Sequence, residues 1–216
     1  MEKIFSDKIF DFYYYEALKD ATLRNTCETD SRDRMFDINN KDSNAIKDKV
    51  KEYIKKIIDG NLKEGECEKT IKSISEEAKK FAQDFTFGNA QKLVNMMAKY
   101  FYALAYVCDE KRENFENCDC PMDRIMLKEI SDYCKRIKNN ANEKNDGELI
   151  RKAENWDSMA EISWSKINIE DIGIYKEYQS RVKELMKSDI FIEEYGELKS
   201  PLEVDFVLWN SVKEKK

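Results

Sequence analysis

One stretch of the chain is apolar on every side, and this feature constrains the fold more than any other. It lies in the segment 89–107, where almost every residue after Lys92 and Asn95, apart from Lys99, is apolar. A surface helix keeps one polar face, so a helix without one has to be enclosed by other elements. The sequence therefore predicts a central helix, whose apolar part is formed by Met96, Met97, Ala98, Tyr100, Phe101, Tyr102, Ala103, Leu104, Ala105 and Tyr106.

The segments on either side of this helix also carry helical patterns. Proline occurs twice and glycine six times in 216 residues, which is the composition of long helices rather than of turn-rich sheets. The tract Ser200-Pro201-Leu202-Glu203 supplies a cap residue, a first-turn proline and an acid for a last helix that runs through Trp209. Apolar residues at helical spacing predict the other helices over 4–23, 43–59, 66–84, 121–137 and 171–187.

Polar and irregular segments separate these helices. We predict a loop over 26–43, a charged surface excursion at 109–117, a short helix near 148–156 and a loop around 164–166. The segment 138–146 is rich in asparagine and lysine and is the best linker candidate, so any subdomain boundary falls there. The fold class that follows is all-α, as a single domain over 1–216 with about seven to nine helices packed around the central one.

The chain contains no histidine, and this absence restricts its chemistry. It excludes serine–histidine and cysteine–histidine nucleophile systems, histidine-ligated zinc and histidine proton shuttles. Any catalysis has to use carboxylates, lysines, tyrosines or cysteines, or a metal held by carboxylates or thiolates.

Charge and terminal sequence set the expected environment. The net charge of −6 gives the whole chain no electrostatic footprint for tight nonspecific binding of nucleic acid, although a local basic face is compatible with it. The start MEKIFSDKIF lacks the features of a secretion signal, and no apolar run has the length of a membrane span. We expect a soluble, cytoplasmic protein with no membrane partner.

Six cysteines are scattered along the chain without the rhythm of a disulfide scaffold, so reduced thiols are expected. Four of them, Cys108, Cys118, Cys120 and Cys134, could supply thiolates to a zinc ion, but their spacing matches no common zinc knuckle. Buried cysteines that act as small apolar residues explain them better. We predict neither a metal site nor a cofactor.

Three polar residues stand out on the central helix. Lys92, Asn95 and Lys99 are spaced three and seven residues apart, so they share one face over two turns. In one interpretation this stripe is the solvent-facing strip of the helix. In the other it lies in a cleft, where desolvation could lower the pKa of a lysine and make it nucleophilic or anion-binding.

Two further tracts resemble a known family. The run Gly88-Asn89-Ala90-Gln91-Lys92-Leu93-Val94-Asn95, the apolar helix after it, and Cys120-Pro121-Met122-Asp123-Arg124 are similar to the core of the helix-hairpin-helix DNA glycosylase superfamily. The tract with Tyr175, Tyr178 and residues 200–209 resembles the closing helix of uncharacterised relatives of that group. The resemblance covers 87–130 and, more loosely, the C-terminal tract. Ala90 replaces the second hairpin glycine of the family.

The resemblance implies a glycosylase or lyase acting on DNA, with Lys92 and Asp123 as catalytic residues. Lys92 would attack the sugar and form a Schiff base, while Asp123 would activate this nucleophile and stabilise the developing sugar cation. Gly88 would bring backbone amides of a hairpin against a DNA phosphate. The remaining residues expected to contact nucleic acid are Asn89, Gln91, Asn95 and Lys99.

A second function stays open. Asp123 also suits the first turn of a helix, where an acid is favourable against the helix dipole, and Trp164 and Trp209 suit a core or a subunit interface. The alternative is a non-enzymatic helical interaction protein whose exposed aromatics bind a protein partner or a second copy of the chain. The first function requires Lys92 and Asp123 to face one cleft, and the second requires an exposed apolar patch.

Overall fold

The described part of the chain contains nine α-helices and no strand, which confirms the all-α prediction. The computed structural model describes residues 7–22, 28–37, 39–108, 111–143 and 161–214. Short 3-10 turns occur at Arg112–Phe115, Trp164–Lys166 and Ile169–Asp171. The helices are α1 (Asp7–Thr22), α2 (Thr29–Phe36), α3 (Lys41–Ile58), α4 (Glu66–Ala78), α5 (Phe87–Val107), α6 (Arg124–Glu143), α7 (Ile172–Leu185), α8 (Asp189–Tyr195) and α9 (Pro201–Glu214).

Helix α5 is the central helix, as its sequence predicted. It packs against α1, α3, α4 and α9, and against the turn at Trp164–Lys166. Every residue from 87 to 98 is buried. The apolar stripes of the surrounding helices therefore close on α5 from several sides, and the core of the fold forms around it.

The apolar character of α5 predicted that its C-terminal half, from Met96 onward, is the enclosed one, but the half that is buried throughout is the N-terminal one. Residues 87–98 are buried although they include a lysine and several amides. At the other end of α5, Tyr106 and Val107 are 62% and 80% exposed. The polar residues tolerate burial because they have hydrogen-bond partners inside the protein, as described below.

Helix α5 begins at Phe87, so Gly88 lies in its first turn and not in a hairpin. Thr86 is the N-cap residue: its Oγ1 accepts a hydrogen bond from the Asn89 N–H at 3.1 Å, and Asn89 Oδ1 accepts one from the Thr86 N–H at 2.9 Å. This reciprocal pair is a capping box. The run that resembles a family hairpin is the start of a helix in this chain.

Gly88 is the point where the segment before α7 comes closest to α5. Its N–H donates a hydrogen bond to the carbonyl oxygen of Ile167 at 3.0 Å, and the Thr86 hydroxyl donates one to the Ser165 carbonyl oxygen at 2.7 Å. A Cβ atom added to Gly88 would lie 1.9 Å from the carbonyl oxygen of Trp164. Only glycine allows this approach, which fixes the position of Trp164.

An irregular buried segment, 118–123, leads into α6. Cys118, Cys120, Pro121 and Met122 are buried in it. Helix α6 begins at Arg124 rather than at Pro121, because the Asp123 carboxylate caps it: Oδ1 accepts a hydrogen bond from the Met126 N–H at 2.9 Å.

The remaining differences from prediction are local. The predicted loop 26–43 contains the short helix α2, and the helix predicted over 66–84 ends at Ala78. Residues 138–143 of the predicted linker continue α6, whereas 144–146 and the helix predicted near 148–156 lie outside the described residues. Helix α9 begins at Pro201 as predicted, and the Glu203 carboxylate accepts a hydrogen bond from the Ser200 N–H.

Substituting Gly88 tests this packing. We expect Gly88→Ala to lower the free energy of unfolding by about 2–3 kcal/mol, because the new methyl group overlaps the Trp164 carbonyl. Gly173→Ala is the matched control, since a Cβ there meets nothing within 4 Å. The control should be neutral or stabilising by up to about 1 kcal/mol, because alanine favours a helix over glycine. Urea unfolding of both variants is the measurement, and equal stabilities would contradict the close approach.

Candidate functional site

A cavity of about 510 Å³ opens beside the central helix. Its walls come from α1, α5, the start of α6, the turn at Trp164–Lys166 and α9. They combine charged groups with two indole rings, a mixture that is common in ligand-binding sites. The lining residues are Asp20, Lys92, Met96, Lys99, Tyr100, Asp123, Arg124, Ile125, Trp164 and Trp209.

Lys92 and Asp123 meet on the wall of this cavity. Lys92 Nζ donates a hydrogen bond to Asp123 Oδ2 at 2.6 Å, although the two residues are 31 positions apart in sequence. Their side chains are only 9% and 16% exposed. Helix α5 orients the lysine, and the cap bond to Met126 holds the other carboxylate oxygen of Asp123. The two residues predicted to be catalytic thus form one constrained ion pair.

This environment lowers the pKa of Asp123. Burial acts to raise the pKa of this carboxyl, but the charge of Lys92 and the hydrogen bonds from Lys92 and the Met126 N–H outweigh burial. Asp123 is therefore a carboxylate at neutral pH and forms a stable ion pair with the Lys92 ammonium group beside it.

A second lysine–carboxylate pair lies further along α5. Lys99 on the cavity wall forms an ion pair with Asp205 of α9, and the Asp205 side chain is 1% exposed. Burial raises the pKa of Asp205, while the charge of Lys99 opposes the rise. Asp205 was not among the site residues predicted from the sequence. A signal was present, because an acid between Val204 and Phe206 interrupts the apolar character of a closing helix.

The other four residues predicted to contact nucleic acid are buried in the protein interior. Gly88, Asn89, Gln91 and Asn95 are all inaccessible. The Gly88 N–H is bonded to Ile167, and the Asn89 side-chain amide donates to the Ala21 carbonyl oxygen. We correct the prediction for these four residues, since no nucleic acid can reach them while α5 is covered. Lys99 keeps its place on the cavity wall.

Gln91 and Gln179 satisfy the backbone of the irregular segment before α6. Gln91 Nε2 donates to the Met122 carbonyl oxygen at 2.7 Å, and Gln91 Oε1 accepts from the Met122 N–H at 3.1 Å. Gln179 of α7 makes the same pair of bonds with Cys120, at 2.8 and 3.0 Å. Side-chain amides thus replace the helical partners that these buried groups lack.

Asn95 joins this network from the next turn of α5. Its Oδ1 accepts a hydrogen bond from the Cys67 thiol at 3.2 Å, and its Nδ2 lies 3.0 Å from the Tyr175 hydroxyl. Tyr175 in turn donates to the Asp119 carboxylate at 2.9 Å. The network holds both ends of the segment that leads to Asp123.

The cysteines in the described part of the chain are free thiols, and most of them are buried. Cys67, Cys118, Cys120 and Cys134 are buried and Cys108 is exposed, all as free thiols. Burial raises the pKa of the thiols of Cys67, Cys118 and Cys120. No group of three Cys, Asp or Glu side chains in this part could hold a metal ion, so Cys108, Cys118, Cys120 and Cys134 do not form a thiolate site.

Large apolar side chains reach the surface at few described positions. Phe12, Tyr106 and Val107 are exposed, and Arg112 lies over the Tyr106 ring at 4.8 Å.

Across the described ranges, no helix combines the length and apolar character needed to cross a membrane.

The pKa of Asp123 predicts a pH dependence of stability. A carboxyl with a lowered folded-state pKa stabilises the fold above its usual value of 3.8, and this contribution is lost as pH falls through the folded-state pKa. Asp123→Asn should therefore unfold more easily at pH 6, and its free energy of unfolding should fall less than that of the wild type below pH 4. Urea unfolding between pH 6 and pH 2.5 measures both slopes, and parallel slopes would contradict the assignment.

The buried amides predict a second stability effect. Gln91→Met keeps the length of the side chain but leaves the Met122 N–H and carbonyl without partners. We expect a loss of about 2–4 kcal/mol in the free energy of unfolding, because each unsatisfied buried group costs about 1–3 kcal/mol. Gln83→Met, at an exposed position, is the control and should change stability by less than about 0.5 kcal/mol. Thermal or urea unfolding measures the free energy of unfolding of both variants. Similar losses in the two would contradict the role of Gln91 in bonding to the Met122 backbone.

Comparison with known proteins adds no relative to this geometry. No family model matches the chain, and neither a curated protein nor a solved structure matches it.

Proposed function

We propose that this protein binds nucleic acid through the cavity beside α5 and cleaves an N-glycosidic bond there, in the manner of a DNA glycosylase. The observation that supports this most is the Lys92–Asp123 pair, with Nζ and Oδ2 2.6 Å apart on the wall of a cavity that also contains two indoles. The geometry required of a nucleophile and its base is hydrogen-bond contact beside an open volume.

The pair can perform such a reaction with its own atoms. Lys92 passes a proton to the Asp123 carboxylate, and the neutral amine then attacks C1′ of the sugar. The bond from C1′ to the base breaks, its electron pair leaves with the base, and the base takes up the proton from Asp123. A proton then moves from the nitrogen to the ring oxygen O4′ as the C1′–O4′ bond breaks, and the nitrogen lone pair forms the C1′=N bond of the protonated Schiff base. No oxidant or metal is needed.

The carboxylate has a second effect once the base has left. Asp123 has then returned its proton and is an anion again beside the positively charged nitrogen bonded to C1′, and a nearby anion in a poorly hydrated site stabilises that charge. Asp123 has a lowered pKa and is capped by the Met126 N–H, so it gives up its proton readily to the departing base and keeps its orientation. One residue thus serves as proton acceptor and as electrostatic partner of the sugar.

The indoles suit a base that has left the helical stack. Trp164 and Trp209 are both half-buried in the cavity wall, and stacking on an aromatic ring stabilises a flipped or single-stranded base. The cavity volume of about 510 Å³ lies in the usual range for sites that enclose a small ligand.

The charge of the chain limits how nucleic acid would bind. The net charge of −6 provides no extended basic surface, so few phosphates are neutralised. Arg124 is exposed at the cavity and can contact one phosphate beside the base. We therefore infer weak binding, with an affinity that changes little with salt concentration.

Borohydride trapping tests the proposal. The wild type is incubated with duplexes and single strands that each carry one damaged base, in the presence of sodium borohydride, which reduces a Schiff base to a stable amine. We expect a covalent protein–DNA complex whose yield falls at least about 100-fold in Lys92→Gln, since the nucleophile is removed. Lys49→Gln is the control, because Lys49 bonds to Ser73 away from the cavity.

Two results would overturn the proposal. One is the absence of a trapped complex with every substrate, together with no binding at low salt. The other is trapping that persists in Lys92→Gln. The first result would favour the alternative of a non-enzymatic interaction protein, and the second would assign the Schiff base to another amine of the chain.

A further inference from the structure

The cavity has a second polar end that the proposed chemistry does not use. Lys99 lies two turns beyond Lys92 on the same face of α5, about 10 Å further along the helix axis. It lines the cavity, and its partner Asp205 lies behind it with 1% of its side chain exposed. The ion pair therefore presents its positive member to the cavity and keeps its negative member inside the protein.

The ammonium group of Lys99 is held from more than one direction. Its Nζ lies 4.9 Å from the centre of the Phe206 ring and 5.8 Å from that of Trp209. Cation–π contacts of this kind fix a charge without using a hydrogen-bond acceptor. Within the described residues Asp205 is the carboxylate that forms an ion pair with Lys99 Nζ, and an ammonium group has three N–H donors, so donors remain for a ligand.

The two ends of the cavity have the same composition. One end combines Lys92, Asp123 and Trp164, whose carbonyl packs on the first turn of α5. The other combines Lys99 with Trp209, and Asp205 supports the lysine. A ligand that fills the cavity has to present two polar groups, one at each lysine.

We propose that Lys99, positioned by Asp205, forms an oxyanion subsite that binds the phosphate of the nucleotide whose sugar lies at Lys92 and Asp123. This inference rests on the proposed function for the assignment of the Lys92 end. A phosphate offers several acceptor oxygens, and lysine binds it as a point charge. Arg124 on the cavity wall adds guanidinium donors.

The other carboxylate on the wall does not compete for Lys99. Asp20 accepts a hydrogen bond from the Tyr100 hydroxyl at 2.7 Å. Asp205 lies behind Lys99 and does not line the cavity, whose wall therefore carries three cationic side chains, Lys92, Lys99 and Arg124, against the two carboxylates of Asp20 and Asp123. The phosphate can come from a nucleic-acid backbone or from a free nucleotide, and the experiment separates these sources.

The test measures equilibrium binding through quenching of tryptophan fluorescence, because two indoles line the cavity. The ligands are thymidine, thymidine 5′-monophosphate, inorganic phosphate and a single-stranded thymidine trinucleotide. We expect the wild type to bind the monophosphate at least about tenfold more tightly than thymidine, which is the effect of one or two charge-assisted hydrogen bonds. Tighter binding of the trinucleotide than of the monophosphate would assign the subsite to a backbone phosphate. Equal affinity for the two ligands would assign it to the phosphate of a free nucleotide.

The decisive variant is Lys99→Gln/Asp205→Asn. It replaces the ion pair with two amides and so leaves no unpaired charge in the interior. We expect the preference for monophosphate over thymidine to fall to about twofold or less, with the affinity for thymidine unchanged. A general loss of structure would weaken the binding of both ligands alike. The ratio of the two affinities therefore reports on the phosphate alone.

The protein offers a close control in Lys47→Gln/Asp11→Asn. Lys47 Nζ forms an ion pair with Asp11 at 2.8 Å and lies over the rings of Tyr14 and Tyr15 at 5.8 and 5.2 Å. This surface pair has the same chemistry as Lys99 and Asp205 but lies outside the cavity. The control should keep the full preference for the monophosphate.

Three outcomes overturn the subsite: equal affinity of the wild type for thymidine and its monophosphate, an unchanged preference in the Lys99→Gln/Asp205→Asn variant, or no binding of any ligand. These outcomes are distinct from failure of the proposed function. If trapping at Lys92 fails while the phosphate preference holds and is lost in the variant, the cavity is a nucleotide-binding site without lyase chemistry. If a covalent complex is trapped at Lys92 but the wild type does not prefer the monophosphate over thymidine, the phosphate subsite is contradicted and the proposed function is not.

Discussion

The fold depends on satisfying the backbone of a buried segment that belongs to no helix. Residues 118–123 run through the interior, where an unpaired N–H or carbonyl is costly. Gln91 and Gln179 each bond to the N–H and the carbonyl of one residue in it. This requirement explains why the central helix carries amides at buried positions, and it places Asp123 at the start of α6 where Lys92 can reach it.

The two ion pairs of the cavity are not explained by stability alone. Removing two charges from water costs free energy that their attraction often fails to recover, and well-packed apolar residues of similar volume are frequently as stable. Both pairs border the same open volume, with their lysines on one face of α5. The proposed binding role accounts for charged groups at positions where a purely structural helix would carry leucine or methionine.

Local signals in the sequence were enough for the fold class and for several helix ends. Helix α9 starts at Pro201 because the cap, the proline and the acid act within one turn. The site was harder, since periodicity shows which residues share a face of α5 but not what covers that face. Asn95 therefore resembled a surface residue, and the pairing of Lys99 with Asp205 depended on tertiary packing. The association of Lys92 with Asp123 came from a family resemblance and not from spacing.

The attachment of Trp164 to α5 determines which positions of the sequence can change during evolution. The turn that carries this indole is tied to the helix through main-chain atoms: the carbonyls of Ser165 and Ile167 accept hydrogen bonds from Thr86 and Gly88, and the Trp164 carbonyl rests against Gly88. Side chains at 165 and 166 take no part in these bonds. Substitutions there can accumulate without moving the wall of the cavity, while the constraint falls on Thr86 and Gly88 in a different part of the sequence.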